Sequence, residues 1–195
     1  MLKVARAKTD VVIDGVVNPK EWDWASTMAI KQDVSGYEAK PTSTAWLAYT
    51  DEHLLVAVDN AVSPKTQLAG HRWGQNEAVE IAIKNPAAGK RPPIWVLRGY
   101  PDGHFENAKC YSGPETPEPY AKEGITFQTK IVSAQRWTTE WRIPWKLLGM
   151  DPAKHRKLAF NLTVRKAVSN LWLMWEGTRA HSYDVDRAGF IELSP

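Results

Sequence analysis

The chain has 195 residues, of which 43% are hydrophobic and 24% charged, which suits one globular domain or one all-β sandwich. The formal net charge is only +3, and Lys and Arg are scattered rather than striped, so a nucleic-acid-binding face is not expected. No apolar run approaches the roughly 20 residues that span a bilayer. The single cysteine, Cys110, excludes an intrachain disulfide and argues against a thiolate metal cluster.

The start, "MLKVARAKTD", has no apolar signal core, which fits a mature or trimmed chain or a cytoplasmic one. In chain order, the first expected strand is "DVVIDG" (10–15). A short helix over "NPKEWDWA" (18–25) follows, with Asn18 as N-cap and Pro19 in the first helical position. "TAWLAYTDEHLLVAVDN" (44–60) reads as two strands turning at Asp51-Glu52. Further strands are expected at 78–84, 93–99, 125–132, 136–143, 158–166, 170–177 and 189–194. Turn signals separate them, among them Asn85-Pro86, Pro101-Asp102-Gly103 and Ser169-Asn170. "IPWKLLGM" (143–150) suggests one or two helical turns closed by Gly149. The Pro- and Glu-rich stretch 111–124 reads as a long loop. Many strands without alternating helices predict an all-β protein, an antiparallel β-sandwich with one or two short helices, in a single domain over 1–195.

Strand parity selects candidate functional residues. In "NEAVEIAI", Val79, Ile81 and Ile83 share the core face, and Glu80 points the other way between Ala78 and Ala82. In "LAFNLTVRK", Phe160, Leu162 and Val164 point inward, opposite Asn161, Thr163 and Arg165. Asn and Thr both donate and accept, and Arg donates in a fork, which is what vicinal hydroxyls need. Arg98 ends its strand, Trp73 sits in a polar loop before Glu80, and Tyr183 lies in a polar loop with His181 and Arg187. Ten tryptophans exceed what a core of this size needs, and surplus flat rings suit apolar faces of a polar ligand. The ordinary alternatives are solvated strand faces, a surface Glu80, an Arg98 paired with it, and a Tyr183 that caps the sandwich edge. No phosphate loop, G-x-S-x-G, H-E-x-x-H or CxxC occurs. His71, His104 and His181 are loop histidines that a metal would need to gather.

The sequence resembles carbohydrate-binding module family 9, within the DOMON-like β-sandwiches. The similarity runs nearly end to end, through "VVIDGVVNPKEWDWA", "AWLAYTDEHLLVAVD", "RWGQNEAVEIAI", "EWRIPWKLLG", "LAFNLTVRK", "LWLMWEG" and "AGFIEL". The resemblance implies a non-catalytic domain that holds a saccharide between two aromatic rings. Trp73 matches the first ring, and Tyr183 falls where the second is usually Trp. Glu80, Arg98, Asn161, Thr163 and Arg165 match polar positions. The spacing from Trp73 to Glu80 is one residue longer than the family's. The implied partner is a glucan, xylan or related oligosaccharide, in an extracellular or periplasmic setting, with linkage to a glycan-active catalytic domain. Members often carry structural calcium. Asp14, Asp51 and Asp59 are candidate ligands here, though no calcium-loop spacing occurs and no cofactor is otherwise required. Two other readings compete. One is a haem-b electron-transfer domain, as in other DOMON-like sandwiches, with Met28, Met150 or Met174 as an axial ligand. The other is a glycan-active enzyme using Glu80 as acid or base.

Overall fold

The computed structural model describes residues 1–195. Its strands are β1 (Leu2–Arg6), β2 (Ser26–Gln32), β3 (Glu38–Tyr49), β4 (His53–Ala61), β5 (Ala78–Lys84), β6 (Ile94–Gly99), β7 (Phe105–Cys110), β8 (Glu118–Pro119), β9 (Thr126–Ser133), β10 (Arg136–Pro144), β11 (Lys157–Lys166), β12 (Leu171–Met174) and β13 (Gly189–Leu193). One helical turn, α1 (Pro19–Trp22), and a 3-10 turn at Val185–Arg187 complete it. The strands hydrogen-bond in the order β8-β7-β6-β5-β11-β12-β2-β3-β4-β10-β9. The path folds over on itself where β12 meets β2 through the single pair Met174–Gln32. The other side is closed by β1, which runs parallel to both β13 and β3. This parallel closure departs from the purely antiparallel expectation.

Alternation builds the core between the two layers. Val79, Ile81 and Ile83 of β5 and Phe160, Leu162 and Val164 of β11 meet Leu47, Val56, Trp137 and Trp141 from the opposite layer, all buried. Trp22, Trp95, Trp137, Trp141 and Trp145 are buried, so much of the tryptophan supply is spent on packing after all.

Each layer also has an outer face, and each outer face is covered by a segment without strand structure. Residues 10–15 form no strand. The segment lies over β3, β4 and β10, where Val11 and Trp22 pack on Ala48, Leu55 and Ala57. Backbone donors explain why it stays extended without pairing. Glu140, pointing outward from β10 and fully buried, accepts from the Asp14 amide (3.0 Å), the Gly15 amide (2.8 Å) and Trp22 Nε1 (2.8 Å). Thr138 donates to the Gly15 carbonyl at 2.6 Å, and Arg142 to the Val11 carbonyl at 2.7 Å. Gly15 is obligatory there: its φ is +85°, and a Cβ would sit 2.6 Å from the Thr129 backbone. Asn18 caps α1 as expected, its Oδ1 accepting from the Lys20 amide at 3.0 Å. Residues 145–149 form successive turns rather than a helix, and Trp145 Nε1 donates across to the Thr50 carbonyl at 2.8 Å.

Burial pushes the Glu140 carboxyl up to about 7, from 4.5, against the pull of its three donors. The folded chain therefore holds this proton more tightly than the unfolded chain. Stability from this source is complete below about pH 4.5 and is lost as pH rises to about 7. Glu140→Gln removes the titration. Its destabilisation, measured by urea unfolding, should be larger at pH 4.5 than at pH 8; a penalty that grows with pH would contradict the assignment.

Candidate functional site

The outer face of the other layer carries one continuous row of cross-strand neighbours. Register places Glu106 beside Arg98, Arg98 beside Glu80, Glu80 beside Thr163, and Thr163 beside Met174. The charges alternate, as adjacent strands favour. Glu80 is not a surface residue: its side chain is fully buried, while that of Arg98 is 13% exposed. Arg98 Nε donates to Glu80 Oε2 at 2.7 Å, and the Ser182 hydroxyl donates to Glu80 Oε1. The guanidinium also lies 4.4 Å from the centroid of the Trp73 ring, a cation–π stack.

What buries this row is the strap formed by residues 175–188. Asn161 fastens it. Its amide nitrogen donates to the Glu176 carbonyl (3.1 Å) and the Ser182 carbonyl (3.2 Å), and its oxygen accepts from the Glu176 amide (3.2 Å). Tyr183 and Val185 then pack on Ala82, Val96 and Ala108. The small alanines flanking Glu80 in sequence make room for the chain's own strap.

Arg165 is also fully employed. Nε donates to the Gly74 carbonyl at 2.9 Å, Nη1 to the Lys166 and Leu171 carbonyls, and Nη2 to Asn170 Oδ1 at 2.7 Å. The same guanidinium stacks 4.0 Å from the centroid of Trp172. It thus ties the Trp73 loop to the β11–β12 hairpin. The loop has two further anchors: Asn76 Oδ1 accepts from the Arg72 amide at 2.8 Å, and buried Glu77 accepts from the Ala167 amide at 2.7 Å. The loop makes a tight turn just after Trp73, where Gly74 has a φ of +80°. At the end of β11, buried Lys166 donates to Ser43 Oγ at 2.8 Å and to the Ala61 carbonyl, and burial pushes its ammonium down to about 8. That group closes the end of the core.

Trp73 and Trp172, both half-buried, flank a cleft of about 260 Å³ whose other lining residues include Met174, His181 and Tyr183. Trp172 is absent from the expected site set. The signal was present: in "LWLM", Leu171 and Leu173 take the core parity, which leaves Trp172 and Met174 outside. Tyr183 does reach the cleft, but it is buried, its hydroxyl donates to the Glu115 carbonyl at 3.1 Å, and its ring stacks on His181 with centroids 5.2 Å apart. Of the expected residues, Trp73 and Tyr183 line the cleft, and the Glu80–Arg98 pair lies beneath that lining, joined to it through Ser182 and the Trp73 ring. Thr163 sits within the row, and Asn161 and Arg165 act on the parts that hold the site rather than on its open surface.

The competing chemistries find little here. Glu80, the proposed acid or base, has both oxygens engaged by Arg98 and Ser182. Met28, Met150 and Met174 are buried, and the Met174 sulfur accepts the Thr178 hydroxyl at 3.9 Å. His71 and His104 do stack, 4.2 Å apart, and His71 pairs with Asp102 at 2.8 Å, but His181 lies with Tyr183 instead. No three His, Cys, Asp or Glu side chains converge as metal ligands. Of the candidate calcium ligands, Asp51 pairs with Arg6, Asp59 takes both Nε and Nη2 of Arg136, and Asp14 accepts the Val16 amide.

Solved structures share this architecture. The chain superposes on a family 9 carbohydrate-binding module from Caldicellulosiruptor kristjanssonii in complex with glucose, with a TM-score of 0.68, 16% identity, and coverage of 98% of this chain and 95% of that one. The same module in complex with cellotriose gives 0.68 and 16%, covering 98% and 93%. A candidate carbohydrate-binding protein from Bacteroides uniformis gives 0.71 at 13% identity, covering 99% and 98%. No protein-family model and no curated protein sequence matches the chain. At these identities the likeness establishes the all-β fold that was expected.

The Glu80–Arg98 pair is structural before it is anything else. Glu80→Ala strands a largely buried guanidinium, and its cost in denaturant unfolding should be about 3–5 kcal/mol. A loss below about 1 kcal/mol, the scale of an exposed pair, would contradict the burial argument.

Proposed function

We propose that this chain is a non-catalytic carbohydrate-binding domain that holds a sugar ring in the cleft between Trp73 and Trp172. One observation carries the reading: two indoles flank a sugar-sized opening, and each is propped on one face by an arginine that is itself held by the sheet. A pyranose has apolar C–H faces and a polar rim. Preformed aromatic walls bury the faces without paying the entropy of ordering a loop. At about 260 Å³ the cleft lies just below the usual range for drug-sized ligands, which suits a single ring.

The polar rim has donors to meet. Arg98 spends only Nε on Glu80, and its terminal nitrogens donate to no protein group. The His181 ring, exposed at the cleft edge, likewise has no hydrogen-bond partner in the protein. Glu80 fixes the fork of Arg98 rather than acting as acid or base, which favours binding over turnover. The glucose and cellotriose complexes of the structural relatives point to a glucan-type oligosaccharide, and their module character supports a partnership with a glycan-active catalytic domain. Such a ligand suits an extracellular or periplasmic setting.

Calorimetric titration with glucose, cellotriose and xylotriose tests the reading. Trp73→Ala and Trp172→Ala should each weaken binding by at least tenfold, about 1.4 kcal/mol, with the melting temperature of each variant near that of the parent. Binding that survives both substitutions would remove the cleft as the site.

A further inference from the structure

Beside the cleft lies a second hollow, of about 580 Å³, lined by Val34, Ser35, Tyr37, Arg179 and Ala180. It shares Val34 and Ala180 with the Trp73–Trp172 cleft, so the two lie side by side with those residues between them. Resting on the reading of that cleft as a sugar site, we propose that this hollow is a second subsite, which takes the next sugar unit of an oligosaccharide on the Tyr37 ring, with Arg179 donating to its hydroxyls.

The composition fits that ligand. Tyr37 is 74% exposed, the most exposed large hydrophobic side chain in the chain, and nothing in the protein packs on it to explain the ring. Its hydroxyl and the Arg179 guanidinium have no partners in the protein. The hollow therefore repeats the chemistry of the first cleft, one flat ring and one forked donor, with an open side in place of the second ring. Such an arrangement suits an interior unit of a chain, whose neighbours need a way out.

The hollow is also built rather than left over. It forms where the β2–β3 turn meets the strap. Asp33 Oδ1 accepts from the Ser35 amide (2.8 Å) and the Tyr37 amide (2.9 Å), which fixes the turn that carries the ring. Gln32 Oε1 accepts from the Gly177 amide at 2.9 Å, and the Arg179 amide donates to the Val34 carbonyl at 2.7 Å. A Cβ on Gly177 would lie 2.5 Å from the Gly36 nitrogen, so the two backbones touch and only glycine allows it. Arg179 itself is left-handed, with a φ of 56°. Non-glycine residues hold that conformation at a cost and cluster at ligand clamps. Here it costs backbone energy to present a long donor beside Tyr37, and the strap's other contacts enforce it.

The test compares ring number rather than binding alone. Glucose and cellotriose, with xylose and xylotriose as a second series, are titrated by calorimetry into the parent, Tyr37→Ala, Tyr37→Phe and Arg179→Gly. Glycine keeps the left-handed backbone without the guanidinium. In the series that binds, the trisaccharide should bind the parent about tenfold tighter than the monosaccharide. Tyr37→Ala and Arg179→Gly should erase most of that gap and leave monosaccharide affinity unchanged, while Tyr37→Phe keeps it. A gap that persists in both Tyr37→Ala and Arg179→Gly overturns the second subsite while leaving the first cleft standing. A parent that binds no sugar of either series overturns the cleft reading, and the subsite with it.

Discussion

An ion pair taken out of water is the constraint on which the site depends. Glu80 and Arg98 face away from the core, side by side on adjacent strands, in the position where a sheet normally meets solvent. Covering such a pair is expensive unless every strong donor and acceptor finds a partner. Two loops cover the pair and satisfy the carboxylate, while the terminal nitrogens of Arg98 keep no protein acceptor. The strap supplies Ser182 to the carboxylate, and the Trp73 loop lays an indole over the guanidinium. Because both loops must close on the pair, both are held in one place, and the opening they leave has a fixed shape.

The opposite layer solves a related problem in the same way. There Glu140 lies under the N-terminal segment and gathers two backbone amides and the Trp22 indole. Asn161 does the corresponding work under the strap, gathering a backbone amide and two carbonyls. In each case one buried polar side chain on a strand replaces the ladder bonds that an extended segment would otherwise lack. The difference lies in what the covers leave open. The N-terminal cover seals Trp22 against the sheet, whereas the strap stops short of Trp73 and Trp172.

Parity made much of this legible in the sequence. The strand 78–84 was readable to the residue, and so was the outward direction of Glu80, Asn161, Thr163 and Arg165. Parity gives a face, however, and not what lies on it. Ser182 is 102 positions from Glu80, and no local pattern announces that the strap returns there. The same limit hid the contacts of Asn161 and Arg165, whose partners are backbone groups and, for Arg165, also Asn170 Oδ1. Apolar "DVVIDG" looks like a strand because a buried extended cover needs the same side chains as one. β1, β2, β7 and the two-residue β8 were not expected: β1 buries only Val4, β2 buries only Met28 and Ile30, "FENAKC" carries too few apolar residues to mark a strand, and β8 lies in the stretch expected as a loop. Trp172, which lines the cleft, was not among the expected residues. Its alternation in "LWLM" was visible, but the loop aromatic Tyr183 drew the second-ring role, and burial of Tyr183 shows only in three dimensions.

The central claim is that two propped indoles, and not the rest of the tryptophan supply, meet the ligand. Indole N–H resonances report it most directly. In the ¹H–¹⁵N spectrum of protein labelled at tryptophan Nε1, added cellotriose should shift the Trp73 and Trp172 signals, assigned by single Trp→Phe variants. The buried Trp22, Trp137, Trp141 and Trp145 should stay in place. Shifts confined to other indoles, or none at saturating sugar, would contradict the site.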